Sequence, residues 1–190
     1  MIVNLTSLWL PILLSAIAVF IVSALIWNVV QWHNSDWRKL PDEEAARKAL
    51  RGAAPGEYLV PHAANNKARQ ASEWQAKFKE GPAAMLSVMP HGSMAMGKTL
   101  VQWFVYCLII SLLVAYVGSA TLQAGTDYLK VFQVIGTAAI LAYSGHAAMG
   151  PIWFGYTWSR GMKEIADGVI YGLVTAGIFG WLWPEAMTAA

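Results

Sequence analysis

The residues of widest chemical reach in this 190-residue chain are four histidines, one cysteine and eight methionines. His146 stands out because it lies in the uncharged stretch Val131 to Ser159. An ionisable group inside an apolar span is a functional candidate by default. At four-residue spacing it shares a stripe with Ala138, Ala142 and Gly150. Small neighbours above and below an imidazole leave a flat recess, where a haem or chlorophyll can lie with the histidine as axial ligand. A quinone contact is a related option. Two-histidine haem ligation needs a second intramembrane histidine, and the chain has none. The competing readings are a packed histidine hydrogen-bonded to a neighbouring helix, and a proton or polar-substrate role.

Gly92-Ser93-Met94-Ala95-Met96-Gly97-Lys98-Thr99 fits the phosphate-loop pattern G-x-x-x-x-G-K-[ST]. In that loop backbone N–H groups cradle phosphates at a helix start and the lysine reaches the terminal phosphates. It needs a preceding strand in a parallel sheet, for which there is no room, and the helix that follows is a membrane span. The expectation is a flexible glycine entry with Lys98 as an interfacial anchor. Met85, Met89, His91, Met94 and Met96 form a soft-ligand cluster of a kind that suits Cu(I). Beside a bilayer, however, methionine is ordinary apolar filler. His33, His62 and His91 make no HxxxH, HExxH or CxxC pattern, and His62 reads as a turn residue after Pro61. No catalytic residue, metal ligand or named cofactor is assigned. Cys107 falls inside an apolar span and reads as packing.

The elements that must position these residues follow from how charge is distributed. The chain is 57% hydrophobic and 13% charged, with 13 bases, 11 acids and a net charge of +2. That balance argues against nucleic acid as a partner and against disorder. No Asp, Glu, Lys or Arg occurs in Met1–Ser35, Thr99–Thr126, Val131–Ser159 or Gly168–Pro184. About 20 apolar residues cross a hydrocarbon core as a helix. The expected fold is therefore all-α, an integral membrane bundle of four transmembrane helices over 8–31, 99–118, 129–150 and 165–184. The fourth is the shortest in apolar length, with Ile165 and Ala166 extending it. The first lacks an N-terminal Lys or Arg and is long for a signal peptide, so it reads as a retained helix. Scattered polarity (Gln102, Gln133, Thr137, Ser144, Thr175) includes no acid pair or arginine run of the kind that proton pumps and voltage sensors carry.

Orientation follows from Lys and Arg near the span ends. Arg38, Lys39, Arg47, Lys48, Lys79, Lys98, Arg160 and Lys163 lie on one side, against Lys130 on the other. Residues 32–98 are thus expected to be cytoplasmic and both termini periplasmic. The inner-face bases also fit anionic lipid headgroups. Pro41-Asp42-Glu43-Glu44 opens an expected helix to Arg51, with acids at its start and Arg47, Lys48 and Arg51 at its end. A second is expected from Ser72, with Gln75 completing a capping box, to Gly81-Pro82. Pro55 to Gln70 reads as loop. So small a helical and irregular segment buries little core alone, which places it against a membrane surface or a partner, with Trp74 and Phe78 supplying apolar contact.

Gly168, Gly172, Ala176 and Gly180 leave one face of span four nearly bare, a helix-packing face that suits span three or a second subunit. Several stretches then read together. They are Trp37-Arg38-Lys39-Leu40-Pro41-Asp42-Glu43-Glu44, Tyr58-Leu59-Val60-Pro61-His62, Gly81-Pro82, Met96-Gly97-Lys98-Thr99-Leu100-Val101-Gln102-Trp103-Phe104, Asp167 through Leu173, and Trp181-Leu182-Trp183-Pro184. On these the chain resembles a group of bacterial hypothetical inner-membrane proteins. The resemblance implies a bacterial origin and the four-span layout, and supplies no site residues. The resulting expectation is a non-enzymatic accessory or assembly subunit of a larger bacterial membrane complex, or a homo-oligomer, acting through helix packing. The alternatives are a cofactor-binding subunit using His146 and a small-solute transporter.

Overall fold

The computed structural model describes residues 3–92 and 96–186. Within them the chain is mostly helical, and three helical stretches are long and apolar enough to cross a membrane: Leu5–Val30, Met96–Thr121 and Tyr128–Trp153. The chain forms two compact units, Met1–Trp37 with Ala95–Ala190, and Arg38–Met94.

In the first unit α1 (Trp9–Leu25) is entered through a 3-10 turn, Leu5–Leu8, capped by the Asn4 side chain. Pro11 is tolerated because N–H groups in a first turn have no intrahelical partner. The helix turns small and polar residues inward (Ser15, Ala16, Ser23) and Trp9, Leu13, Leu14, Ile17, Ile21 and Leu25 outward. In the second unit α2 (Glu43–Leu50) is capped by Asp42, which accepts from Ala45 N at 2.9 Å. It carries the expected acids at its start and Arg47 and Lys48 in its last turn.

The segment read as loop is more ordered than expected. It contains strand β1 (Gly56–Val60) and a short helix α3 (Asn66–Gln70). Then come α4 (Ser72–Glu80) and strand β2 (Ala84–Val88), which pairs antiparallel with β1, Tyr58 opposite Leu86. The Glu57 carboxylate accepts from Ser87 Oγ at 2.7 Å across the pair. The expected capping box does not form. Ala71 takes the N-cap position without a side-chain bond, and the Gln75 amide instead donates to Arg69 O at 2.6 Å. Trp74 is half-buried within its unit, donating to Pro61 O at 3.1 Å and stacking on Phe78 at 4.9 Å. None of the described residues 38–92 is fully buried.

In the first unit again, α5 (Met96–Thr121) buries Cys107, Ser111, Ala115 and Gly118, and exposes Val105, Ile109, Leu112, Leu113 and Tyr116. Large apolar side chains outside and small ones inside suit helices surrounded by hydrocarbon, where close backbone approach holds the bundle. α6 (Tyr128–Ser144) runs antiparallel to α8 (Trp158–Trp181), and a one-turn helix α7 (Met149–Trp153) lies between them. The small-residue face of α8 is filled by this chain's own α6. A Cβ on Gly168 would sit 2.8 Å from Ser144 N, one on Gly172 2.9 Å from Ile140 N, and one on Gly136 3.1 Å from the Ala176 methyl. Gly180 accommodates the Tyr128 ring. Phe179, Ile135, Val131, Val19 and Leu8 fill the core.

Helical structure in span three reaches Trp153, past its expected limit at residue 150, with an interruption on the way. α6 stops at Ser144 and residues 145–148 are turns. Pro151 has no N–H for the Ala147 carbonyl and its ring crowds that oxygen, so the disruption falls one turn ahead of the proline.

Candidate functional site

The end of α1 builds the most charged interior of the protein. The helix widens into a π turn, Ile26–Val30, and stops at Gln31, which has φ 55° and ψ 24°. A non-glycine residue in that left-handed region is uncommon. It reverses the chain into a 3-10 turn, Trp32–Asp36, which brings His33 back into the bundle at 3% exposure. There His33 Nδ1 lies 2.8 Å from Asp36 Oδ2 and Nε2 lies 2.9 Å from Asp167 Oδ2. The Trp27 ring stacks on the imidazole at 4.5 Å and 10°. From α8, Lys163 Nζ donates to Asp36 Oδ1 at 2.6 Å, Ser35 Oγ at 2.7 Å and Trp32 O at 2.8 Å.

Hydrogen-bond geometry fixes the proton count. A neutral imidazole has one N–H, yet both ring nitrogens face carboxylate oxygens. Either His33 carries both protons, or one of the facing carboxyls holds one. Both arrangements give the trio one net negative charge, which Lys163 cancels. Burial pushes the Asp36 carboxyl up, but the hydrogen bonds and charges of Lys163 and His33 outweigh it and hold its pKa below the usual value. Nearby, Arg160 Nε donates to Glu164 Oε1 at 2.9 Å, and its guanidinium lies over Tyr156 at 4.1 Å and Trp37 at 5.5 Å.

Beside this network lies a pocket of about 650 Å³. Its walls come from the ends of α1 and α6, the start of α5 and the second to fourth turns of α8. Six aromatic rings line it: Phe20, Trp27, Trp103, Tyr106, Tyr143 and Tyr171. Trp103 joins two walls by donating its indole N–H to Ser23 Oγ at 2.9 Å. Glu164 and Asp167 line the pocket, and no Lys or Arg does so among the described residues. Asp167 Oδ1 and Trp32 Nε1 are buried without a hydrogen-bond partner, as are the Tyr143 and Ser111 hydroxyls. The indole acts on the Asp167 carboxyl, and the Tyr143 hydroxyl on Cys107 and Ser111, so each is close to a group that it does not bond in good geometry.

His146 sits in the turn after α6, exposed, at the edge of this pocket. The turns at 145–148 interrupt the α-helix that carries Ala138 and Ala142. At Gly150, where a flat recess was expected, the Tyr156 ring occupies the space, and a Cβ there would lie 3.1 Å from its Cε2. Of the phosphate-loop pattern, 93–95 lie outside the described residues, and Lys98 and Thr99 lie in the first turn of α5. The sheet before it has two antiparallel strands, unlike the parallel sheet that a phosphate loop requires. Met94 of the methionine cluster is also outside the described residues. Met85 and Met89 are exposed in one unit, and Met96 lines the pocket of the other. No cluster of three or more His, Cys, Asp or Glu suited to a metal occurs among the described residues. Cys107 is a buried free thiol.

His33, Asp36, Lys163 and Asp167 were not singled out by sequence. Their one visible signal was Asp167 itself, an acid joined directly to the small-residue face of a long helix. Comparison with protein-family models, curated proteins and solved structures finds no match for this chain.

Proposed function

We propose that this chain is a bacterial inner-membrane protein that crosses the bilayer four times and acts without catalysis, by holding a small amphipathic molecule in the helix-lined pocket. The observation that carries the reading is the pocket. Its volume and aromatic walls, with a few polar groups converging on one side, are the usual make-up of a small-molecule site. The fourth crossing is α8. Its 24 residues extend about 36 Å, enough for a hydrocarbon core. Lys163 and Asp167 are compatible with that crossing because each is matched within the protein. Both termini are then periplasmic and 32–98 cytoplasmic, in line with the lysine and arginine distribution. Bacterial origin rests on the resemblance described above.

The test uses the protein in nanodiscs and the neutral fluorophore 1-aminoanthracene, read by energy transfer from tryptophan. Saturable binding is expected, and Ala24→Phe, which adds a ring on the pocket wall, should abolish it. Binding that persists unchanged in Ala24→Phe refutes the pocket as the site.

A second reading, an accessory subunit of a larger membrane complex, is favoured by the unit Arg38–Met94, which buries none of its described residues fully. A partner or the membrane surface would cover it. The small-residue face of α8 does not support this reading, since α6 already fills it. A photo-crosslinker at Phe78, which is 48% exposed, should capture a second chain in membranes. Capture of lipid alone would remove this reading.

A further inference from the structure

We propose that the pocket selects an organic monocation, an ammonium or phosphonium centre on an apolar body that lacks phosphate. The inference rests on the pocket reading above and adds the sign of the ligand's charge.

Both charged side chains that line the pocket are acids, Glu164 and Asp167. Neither base lines it: Arg160 bonds Glu164 at 2.9 Å with its guanidinium over Tyr156 and Trp37, and Lys163 is turned onto Trp32, Ser35 and Asp36. The network is close to neutral as a whole but unevenly arranged, with its negative side toward the cavity. Two helix ends (α1, α6) and one helix start (α5) meet at this level, with α8 entering from its own start. Their backbone dipoles largely offset, and the side chains set the local potential.

Asp167 supplies the second, independent observation. The residue is 6% exposed, one carboxylate oxygen is engaged by His33, and the other, Oδ1, has no hydrogen-bond partner. The Trp32 indole is the neutral donor close to this carboxyl and does not bond Oδ1 in good geometry, so the buried oxygen still favours a nearby positive charge. The aromatic walls agree, because ring faces are negative and attract cations that have shed their water. Trp103 and Tyr106 stack at 5.5 Å, and Tyr143 meets Tyr171 edge-on at 5.6 Å. An anion would face two acids in a half-open apolar groove. A zwitterionic lipid would bring its phosphate against the same acids, so a phosphate-free cation fits better.

The experiment compares two ions of matched shape, tetraphenylphosphonium and tetraphenylborate, on the full-length protein in nanodiscs, with empty nanodiscs subtracted. Saturable binding of the phosphonium at least about tenfold tighter than the borate is expected. Glu164→Gln should weaken phosphonium binding about tenfold. Asp167→Asn should weaken it further. Because that change also alters the His33 contact and can impair folding, Glu164→Gln, with its unfolding midpoint measured alongside, is the variant that decides. Equal or tighter borate binding, or a folded Glu164→Gln protein with unaltered phosphonium affinity, overturns the charge preference. If 1-aminoanthracene binds while neither ion does, the charge preference fails and the pocket stands. If none of the three binds, both readings fail.

Discussion

Replacing Lys163 by methionine should be among the most damaging single changes in the protein. The ammonium makes three hydrogen bonds, to Asp36, Ser35 and the Trp32 carbonyl. Its partner carboxylate is 3% exposed and Lys163 itself 19%. Methionine keeps the stem's packing and removes the charge, leaving a buried acid with only His33 beside it. Removing one partner of a buried pair costs about 3–5 kcal/mol. The residual exposure of Lys163 and the surviving His33 contact place the expected loss near about 3 kcal/mol. Asp36→Asn alone should cost less, since a neutral amide needs less compensation. The double variant Lys163→Met/Asp36→Asn should be more stable than the sum of the singles allows, by about 2 kcal/mol. Equilibrium unfolding in mixed micelles, with tryptophan fluorescence, measures all three.

The pH dependence follows from the same contact. The folded Asp36 carboxyl is held below the ordinary 3.8, so the unfolded chain takes up its proton first as pH falls. The stabilisation is complete above about pH 4 and is lost below it, as pH passes the folded value. In Asp36→Asn this part of the acid loss should vanish. A Lys163→Met loss under about 1 kcal/mol, or additive single variants, would refute the buried-pair account.

Three further outcomes are expected. Gly172→Leu should lower the unfolding midpoint of the isolated chain, because its Cβ would lie 2.9 Å from Ile140 N; a normal midpoint with altered migration on a native gel would instead assign that face to another chain. Cys107, 0% exposed, should react with a maleimide only after unfolding, and labelling of the folded protein at the unfolded rate would contradict its burial. Alkaline phosphatase fused at the C-terminus should be active and the same reporter inserted after Gly52 inactive; an inactive C-terminal fusion would mean that α8 does not cross.

Local signals were legible in the sequence where one short stretch decides the structure. Asp42, with two acids after it, set the start of α2, and the charge-free stretches set the three most apolar helices. What was missed depended on distant partners or on effects displaced along the chain. β1 and β2 pair across 30 residues at Glu57 and Ser87. Burial alternates along Ala84–Val88, but four of its five residues are apolar and carry no period-2 signal. The effect of Pro151 falls ahead of it, because a proline removes the bond to the carbonyl four residues earlier and crowds that oxygen. His146 consequently lies in a turn. The ionic network was the least legible, because Asp36 and Lys163 are 127 residues apart and His33 and Asp167 are 134 apart. Neither half carries a recognisable spacing.

That network also bears on why α8 differs from the other long helices. Hydropathy weighs each charge singly and so sets α8 apart, since Arg160, Lys163, Glu164 and Asp167 lie in its first half. In lipid the relevant quantity is the charge left after pairing. Arg160 matches Glu164, and Lys163 cancels the single net charge of His33, Asp36 and Asp167, so the proposed fourth crossing would carry no net charge. Simple neutralisation would be met equally well with bases toward the cavity, or with partners adjacent on one helix. Here the bases are drawn to residues 32–37 and the acids face the aromatic pocket. Gln31 holds the left-handed conformation that turns His33 inward and makes this polarity possible. A strained residue kept for packing alone would be better replaced by glycine. Gln31→Gly should therefore keep or raise stability, while any change in how His33 meets Asp167 should register in cation binding.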